Sequence, residues 1–117
     1  MLVIAAPGQG AQAPGFLSAW LELPGFADRL RAWSDLTGLD LARYGTTADA
    51  EEIRDTAVAQ PLLVAAAIAA AEVLFGGLGA VRAQVGAVAG HSVGELAAGA
   101  IAGVLSPEDA IRLIAVR

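Results

Sequence analysis

Ser92 stands between Gly90 and Gly94, where one short apolar run, Val85 to Ala89, gives way to another, Leu96 to Ile101. Gly-x-Ser-x-Gly at a strand-to-helix boundary is the pattern of a nucleophile elbow, in which a sharp turn lifts the serine hydroxyl above a sheet. The flanking positions of such a turn carry almost no side chain, a condition that Gly90 and Gly94 meet. Small residues at Ala87, Ala89, Ala97 and Ala98 would let strand and helix approach closely. The helix start behind the serine would direct backbone N–H groups and the positive end of the dipole at developing negative charge. The competing reading is a capping box, with Ser92 and Glu95 satisfying orphan N–H groups at the helix start. Two glycines at the right offsets favour the nucleophile.

An activated serine needs a base, most often histidine. The sequence holds one histidine, His91, directly before the serine. Successive residues leaving a strand point to opposite faces, so His91 is badly placed to accept the Ser92 proton. It reads as an orienting or packing residue on the substrate side. In elbow folds the base follows the serine in the chain, and no histidine follows Ser92 here.

Three further residues are candidates for the same site. Gln9 lies in Gly8-Gln9-Gly10-Ala11-Gln12-Ala13, just after the apolar run Leu2 to Ala6. That loop fits the loose dinucleotide fingerprint, but Pro14-Gly15 falls where the phosphate-binding helix should run, and no acidic residue ends a second strand. It could instead aim Gln9 or a backbone N–H into a site at the strand's C-terminal end; on the loop alone, an ordinary strand-to-helix connection suffices. Gln60 precedes Pro61 at the mouth of an expected helix, facing a cavity or, more simply, capping. Arg117, at 100° per residue, falls between Leu113 and Ala110 on the side that also carries Ile114. An inward arginine there calls for an anionic partner, whereas one that snorkels needs none.

The elements that must position these residues follow from the apolar pattern. Leu2 to Ala6, ended by Pro7, reads as a buried parallel strand. Phe16 to Leu23 could form a brief helix. Phe26, Ala27, Leu30 and Trp33 recur at helical spacing up to Gly38, as core packing. Asp40 to Tyr44 is ambiguous; Asp49 to Arg54 is a solvated helical turn with Thr47 as its cap. Pro61 suits the first position of a helix over 62–75 that is apolar on nearly all sides, and Gly76-Gly77-Leu78-Gly79 leads from it to the elbow strand. Ser106-Pro107-Glu108-Asp109 opens a last helix, with Glu108 and Arg112 as a surface pair.

The chain has 117 residues, 56% of them hydrophobic, and two convincing strands at its two ends. Its mean hydropathy of +0.63 is high for a domain of this size, so we expect 1–117 to be the N-terminal part of a larger single α/β domain, with apolar faces meant for the remainder of that domain. No cysteine and one histidine exclude disulfides and His/Cys metal sites. The start carries no basic flank, and the charge-free stretch from Thr56 to Ala71 is short for a bilayer span; the expected location is the cytoplasm. A net charge of −5 with no lysine argues against nucleic acid and anionic membrane as partners.

Pro7-Gly8-Gln9-Gly10-Ala11-Gln12, Gln60-Pro61, Gly90-His91-Ser92-Val93-Gly94-Glu95 and Arg117 together resemble the malonyl-CoA:acyl carrier protein transacylases and the related acyltransferase domains of polyketide and fatty acid synthases. The resemblance runs the length of the chain but covers the opening portion of the family's domain. It implies an α/β-hydrolase-like core with an inserted ferredoxin-like subdomain beyond residue 117. It implies that Ser92 carries the acyl group and that Gln9 and the backbone N–H of Val93 form the oxyanion hole. It further implies that Arg117 binds the malonyl carboxylate and Gln60 lines the pocket. Malonyl-CoA and acyl carrier protein are then the partners, with no cofactor. The family's base histidine has no counterpart here, so this chain alone is expected to be inactive. A serine hydrolase would share the elbow without needing the arginine. A split or clipped acyltransferase piece would bind its complement and turn nothing over.

Overall fold

The apolar runs at the two ends of the chain pair with each other. In a computed structural model that describes residues 1–116, β1 (Val3–Ala6) and β2 (Ala87–Gly90) lie parallel, with Val3 opposite Ala87 and Ala6 opposite Gly90. A parallel pair needs a long crossover, and everything from Pro7 to Gly86 supplies it. The register brings both C-terminal strand ends level, so the loops after β1 and β2 emerge side by side. The strands are less buried than expected: Val3 is 47% exposed, and Ala5, Ala87 and Ala89 are exposed. Helix α6 (Gly94–Ala102) packs against both strands, while among the described residues the sheet has two strands and therefore two open edges.

The core forms around α4 (Thr56–Phe75), against which α1 (Phe26–Thr37), α6 and α7 (Pro107–Ala115) pack. Eleven of its 20 residues are buried. It starts at Thr56 rather than at the proline, because the Asp55 carboxylate caps it by accepting from the Ala57 N–H. Pro61 therefore sits inside the helix and forfeits a bond to the Ala57 carbonyl, a cost of about 3 kcal/mol in a helix interior. Burying Val58, Leu62, Leu63, Val64 and Ile68 gains roughly 1.5–3 kcal/mol for each side chain and outweighs that loss. At 20 residues and hydropathy 2.0, α4 is long and apolar enough to cross a membrane, contrary to the shorter span read from sequence. With 61% of that stretch buried inside the protein, it serves here as the central core helix.

The remaining helices follow local rules more closely. On α1 the inward stripe is Phe26, Leu30 and Trp33, each at most 1% exposed, and Gly38 ends the helix at φ +73. The indole Nε1 of Trp33 donates to Glu108 Oε2 at 3.4 Å, and Arg112 pairs with Asp109 at 3.3 Å rather than with Glu108. Arg29 of α1 reaches Glu72 of α4 at 2.7 Å. Burial raises the Glu72 carboxyl above its ordinary range, and the guanidinium offsets part of that. Between Phe16 and Leu23 the chain makes turns and one 3₁₀ turn, Trp20–Glu22, rather than a helix. The ambiguous segment is α2 (Leu41–Thr46), capped by Asp40. Asp49, not Thr47, caps α3 (Ala50–Arg54), through a reciprocal capping box with Glu52. The glycine-rich link contains an unforeseen helix, α5 (Leu78–Gln84). Its Arg82 donates to the Ile101 carbonyl at 3.1 Å, tying α5 to the end of α6.

Candidate active site

The turn at Ser92 is built by the close approach of three backbone segments. An ideal Cβ on Gly90 would collide with the carbonyl of Gly94, and one on Gly94 would collide with the carbonyls of Ala6 and Pro7. Gly90 thus serves the turn itself, while Gly94 lets α6 sit directly on the end of β1. Between them Ser92 has φ +56, making it the one non-glycine residue with positive φ among those described. A serine gains nothing intrinsically from that region, and such a conformation costs about 1–3 kcal/mol. It is the strain expected of a nucleophile elbow.

The capping alternative is not what forms. The residue before α6 is Val93, at φ −61 with no side-chain cap hydrogen bond. The first turn is instead closed by backbone: Gly94 N–H donates to His91 at 3.0 Å, Glu95 to Ser92 at 3.0 Å and Leu96 to Val93 at 3.1 Å. The His91 N–H continues the sheet ladder to the Ala6 carbonyl at 3.0 Å. Among the described residues, the N–H groups of Ser92 and Val93 have no protein acceptor. Two donors are therefore left at the mouth of the helix beside an exposed hydroxyl.

The loop after β1 lies against this turn. Gly8 is buried, and a Cβ there would stand 2.8 Å from both Nδ1 and the carbonyl oxygen of His91 and 3.3 Å from Ser92 Cβ. His91 thus packs on the Gly8 backbone, with no side-chain hydrogen bond to Ser92 among the described residues. Gln9, one residue on, is exposed next to the elbow. Its Nε2 donates to Thr56 Oγ1 at 3.1 Å and to the Arg54 carbonyl at 3.4 Å. Its Oε1 accepts from Gln60 Nε2 at 3.5 Å. Residues 51 positions apart in sequence are thereby brought together.

Gln60 does not cap a helix; it lies in the second turn of α4, half-buried, with its amide turned to Gln9. Arg117 lies outside the described residues. On α7 the buried stripe is Ala110, Ile111 and Ile114, while Leu113 is 51% exposed, so the side assigned to Arg117 in sequence is only partly an inward one. Sequence reasoning placed Gly8 in the loop without its contact to His91, and missed Thr56, whose only sequence signal is a hydroxyl four residues before Gln60. A broad hollow lined by Leu21, Arg31, Ser34, Asp35 and Leu39 shares no residue with the elbow. No α-helix follows the Gly8–Ala13 loop until α1, so no phosphate-binding helix N-terminus completes the dinucleotide fingerprint.

Comparison with known proteins covers almost the whole chain. The pattern of the family described as "Acyl transferase domain" matches residues 4–117. The malonyl CoA-acyl carrier protein transacylase of Mycobacterium tuberculosis is 56% identical over 117 residues, covering all of this chain and 38% of that protein. Among solved structures, that of MCAT from Mycobacterium tuberculosis aligns with TM-score 0.88 and 57% identity, over 98% of this chain and 38% of the other. A structure of a type II polyketide synthase acyl-carrier protein in complex with its malonyl-transacylase aligns with TM-score 0.83 and 31% identity. The coverage there is 98% of this chain and 37% of the other. The chain thus spans well under half the length of these relatives.

Proposed function

The chain belongs to the acyl transferase domain family, and on that premise we propose that residues 1–117 are the N-terminal portion of one acyltransferase domain that moves malonyl groups from coenzyme A to acyl carrier protein. The whole domain would be α/β-hydrolase-like, with β1 and β2 as members of a larger sheet; the open sheet edges support this reading. The observation that carries the function is Ser92 at φ +56 between two glycines where any added Cβ would collide with backbone. The product serves fatty acid or polyketide synthesis, in the cytoplasm.

In the reaction we infer, Ser92 Oγ forms a bond to the thioester carbonyl carbon and yields its proton to a base. The tetrahedral oxyanion takes hydrogen bonds from the N–H groups of Gln9 and Val93, where one well-placed donor is worth roughly 10²–10³ in rate. The C–S bond then breaks, and coenzyme A leaves as the thiol after receiving that proton. The carrier protein's thiol attacks the serine ester by the same steps in reverse. His91 packs beside the serine without acting as base, so the base comes from another part of the domain. Gln60 lines the pocket through its contact with Gln9.

The direct test is to incubate the full-length protein with malonyl-CoA, digest it and locate the acyl ester by mass spectrometry. The ester is expected on Ser92; finding it on any other residue would falsify the assignment. A second test concerns Arg117, to which we assign the free carboxylate of the malonyl group. A guanidinium meets a planar carboxylate with two hydrogen bonds, and an acetyl group leaves it unpaired. Charge-assisted bonds contribute about 1.5–3 kcal/mol. Arg117→Ala should therefore lower the ratio of kcat/KM for malonyl-CoA over acetyl-CoA by about ten- to a hundred-fold. Lysine should restore only part of it. Equal ratios in all three proteins would make Arg117 structural.

A further inference from the structure

The segment that carries Gln9 has little of its own to hold it still. It follows a four-residue strand, is rich in glycine and is not continued by a helix. What holds it is a set of carboxamide contacts to the junction between α3 and α4. Gln12 Nε2 donates to the Ile53 carbonyl at 3.0 Å, and its Oε1 accepts the Gly10 N–H at 2.8 Å. Gln9 Nε2 donates to the Arg54 carbonyl at 3.4 Å and to the Thr56 hydroxyl at 3.1 Å. Ile53 and Arg54 end α3, whose last carbonyls have no partners within the helix. The two glutamines fill those vacant acceptors, and the shorter of Gln9's two donated bonds goes to the one hydroxyl at the junction.

With Thr56 and Arg54 on its nitrogen and Gln60 on its oxygen, the Gln9 carboxamide is engaged on both ends. What the residue has left to offer at the elbow is its backbone N–H, which has no acceptor among the described residues. We propose that Thr56 and Gln12 are positioning residues that fix this N–H against the Ser92 turn. Neither touches the reacting atoms; they act only by clamping Gln9 and Gly10 to the α3–α4 junction. The inference rests on the acyl-transfer reading above and adds to it the parts that keep one oxyanion donor in place.

The experiment measures Ser92 acylation by malonyl-CoA in the full-length protein carrying Thr56→Val, Thr56→Ser or Gln12→Met. Valine keeps the shape of threonine without its hydroxyl, and methionine keeps the reach of glutamine without its amide. Displacing a reacting group by about 1 Å can cost about 100-fold in rate, and a loosened donor should cost less than that. Thr56→Val and Gln12→Met are each expected to lower the acylation rate at saturating malonyl-CoA about ten-fold. KM should stay near its wild-type value in both variants, because malonyl binding is untouched. The unfolding temperature should stay near wild type in Thr56→Val and fall by a few degrees in Gln12→Met, which loses two hydrogen bonds. Thr56→Ser should return to within about two-fold of wild type, since it restores the acceptor oxygen. An unchanged rate in either variant, equal impairment by serine and valine, or a loss confined to KM would overturn the clamp. Absence of acylation in the wild-type protein would instead overturn the acyl-transfer reading itself.

Discussion

Ser92→Ala in the full-length protein is expected to lower malonyl transfer on the order of 10⁶-fold, the loss found when the serine nucleophile of a hydrolase is removed. The expectation follows from where the hydroxyl sits. It is the one hydroxyl at the turn, it is exposed, and its N-cap role is already taken by backbone bonds from Gly94, Glu95 and Leu96. Because no cap is lost, the substitution should move stability by no more than about 0.5 kcal/mol, the usual range for a surface change without a structural role. Activity and stability therefore separate in this variant. The assay is transfer of labelled malonyl to carrier protein, with thermal unfolding measured on the same samples. Retained transfer would remove Ser92 from the chemistry. The 117-residue chain by itself should behave much like the alanine variant, for want of a histidine able to serve the serine. Rapid transfer by that chain would return His91 to the role of base.

What could be seen in the sequence was whatever short-range rules govern. The tight strand-to-helix turn at Ser92 was legible because its requirements are local: small flanks, an apolar strand before and an apolar helix after. The α1 stripe and the Ser106-Pro107 start of α7 were legible for the same reason, since capping and helical period are local. Pro61 misled because a proline at the first helical position and one inside a helix look alike until the cap is known. The carboxylate of Asp55, six residues earlier, decided between them. The Glu108–Arg112 pair failed because Asp109, one residue on, lies equally within helical reach of Arg112 and takes it, while Glu108 meets the Trp33 indole from 75 residues away. Gln9 and Gln60 could be weighed only one at a time, each with an ordinary explanation, since their contact depends on how the crossover returns to the sheet. The strand burial was overestimated because a continuous apolar run records what a strand is built to meet on both faces, and here the face carrying Val3, Ala5, Ala87 and Ala89 is left uncovered.

The other large effect is expected at Gly94, where the fold and the site meet. A methyl group there would run into the carbonyls of Ala6 and Pro7. Neither can step aside cheaply: Ala6 is paired opposite Gly90, and its carbonyl accepts the His91 N–H at 3.0 Å. Room can come only from α6 withdrawing from the end of β1, and α6 also packs on α4 and α7. Overpacking a tight contact costs about 1–3 kcal/mol and sometimes more; with backbone on both sides, Gly94→Ala should lie near the top of that range, about 3 kcal/mol. The same withdrawal carries Val93 and Ser92 away from the Gly8–Gln9 loop, and a shift of about 1 Å should slow acylation about 100-fold. Gly79→Ala is the control. It lies in α5 with no atom within 4 Å of the added Cβ, and alanine there should be neutral or stabilise by up to about 1 kcal/mol. Chemical unfolding and acylation rates of both variants decide the matter. If Gly94→Ala unfolds and acylates like Gly79→Ala, the contact between α6 and the end of β1 is not what holds the serine in place.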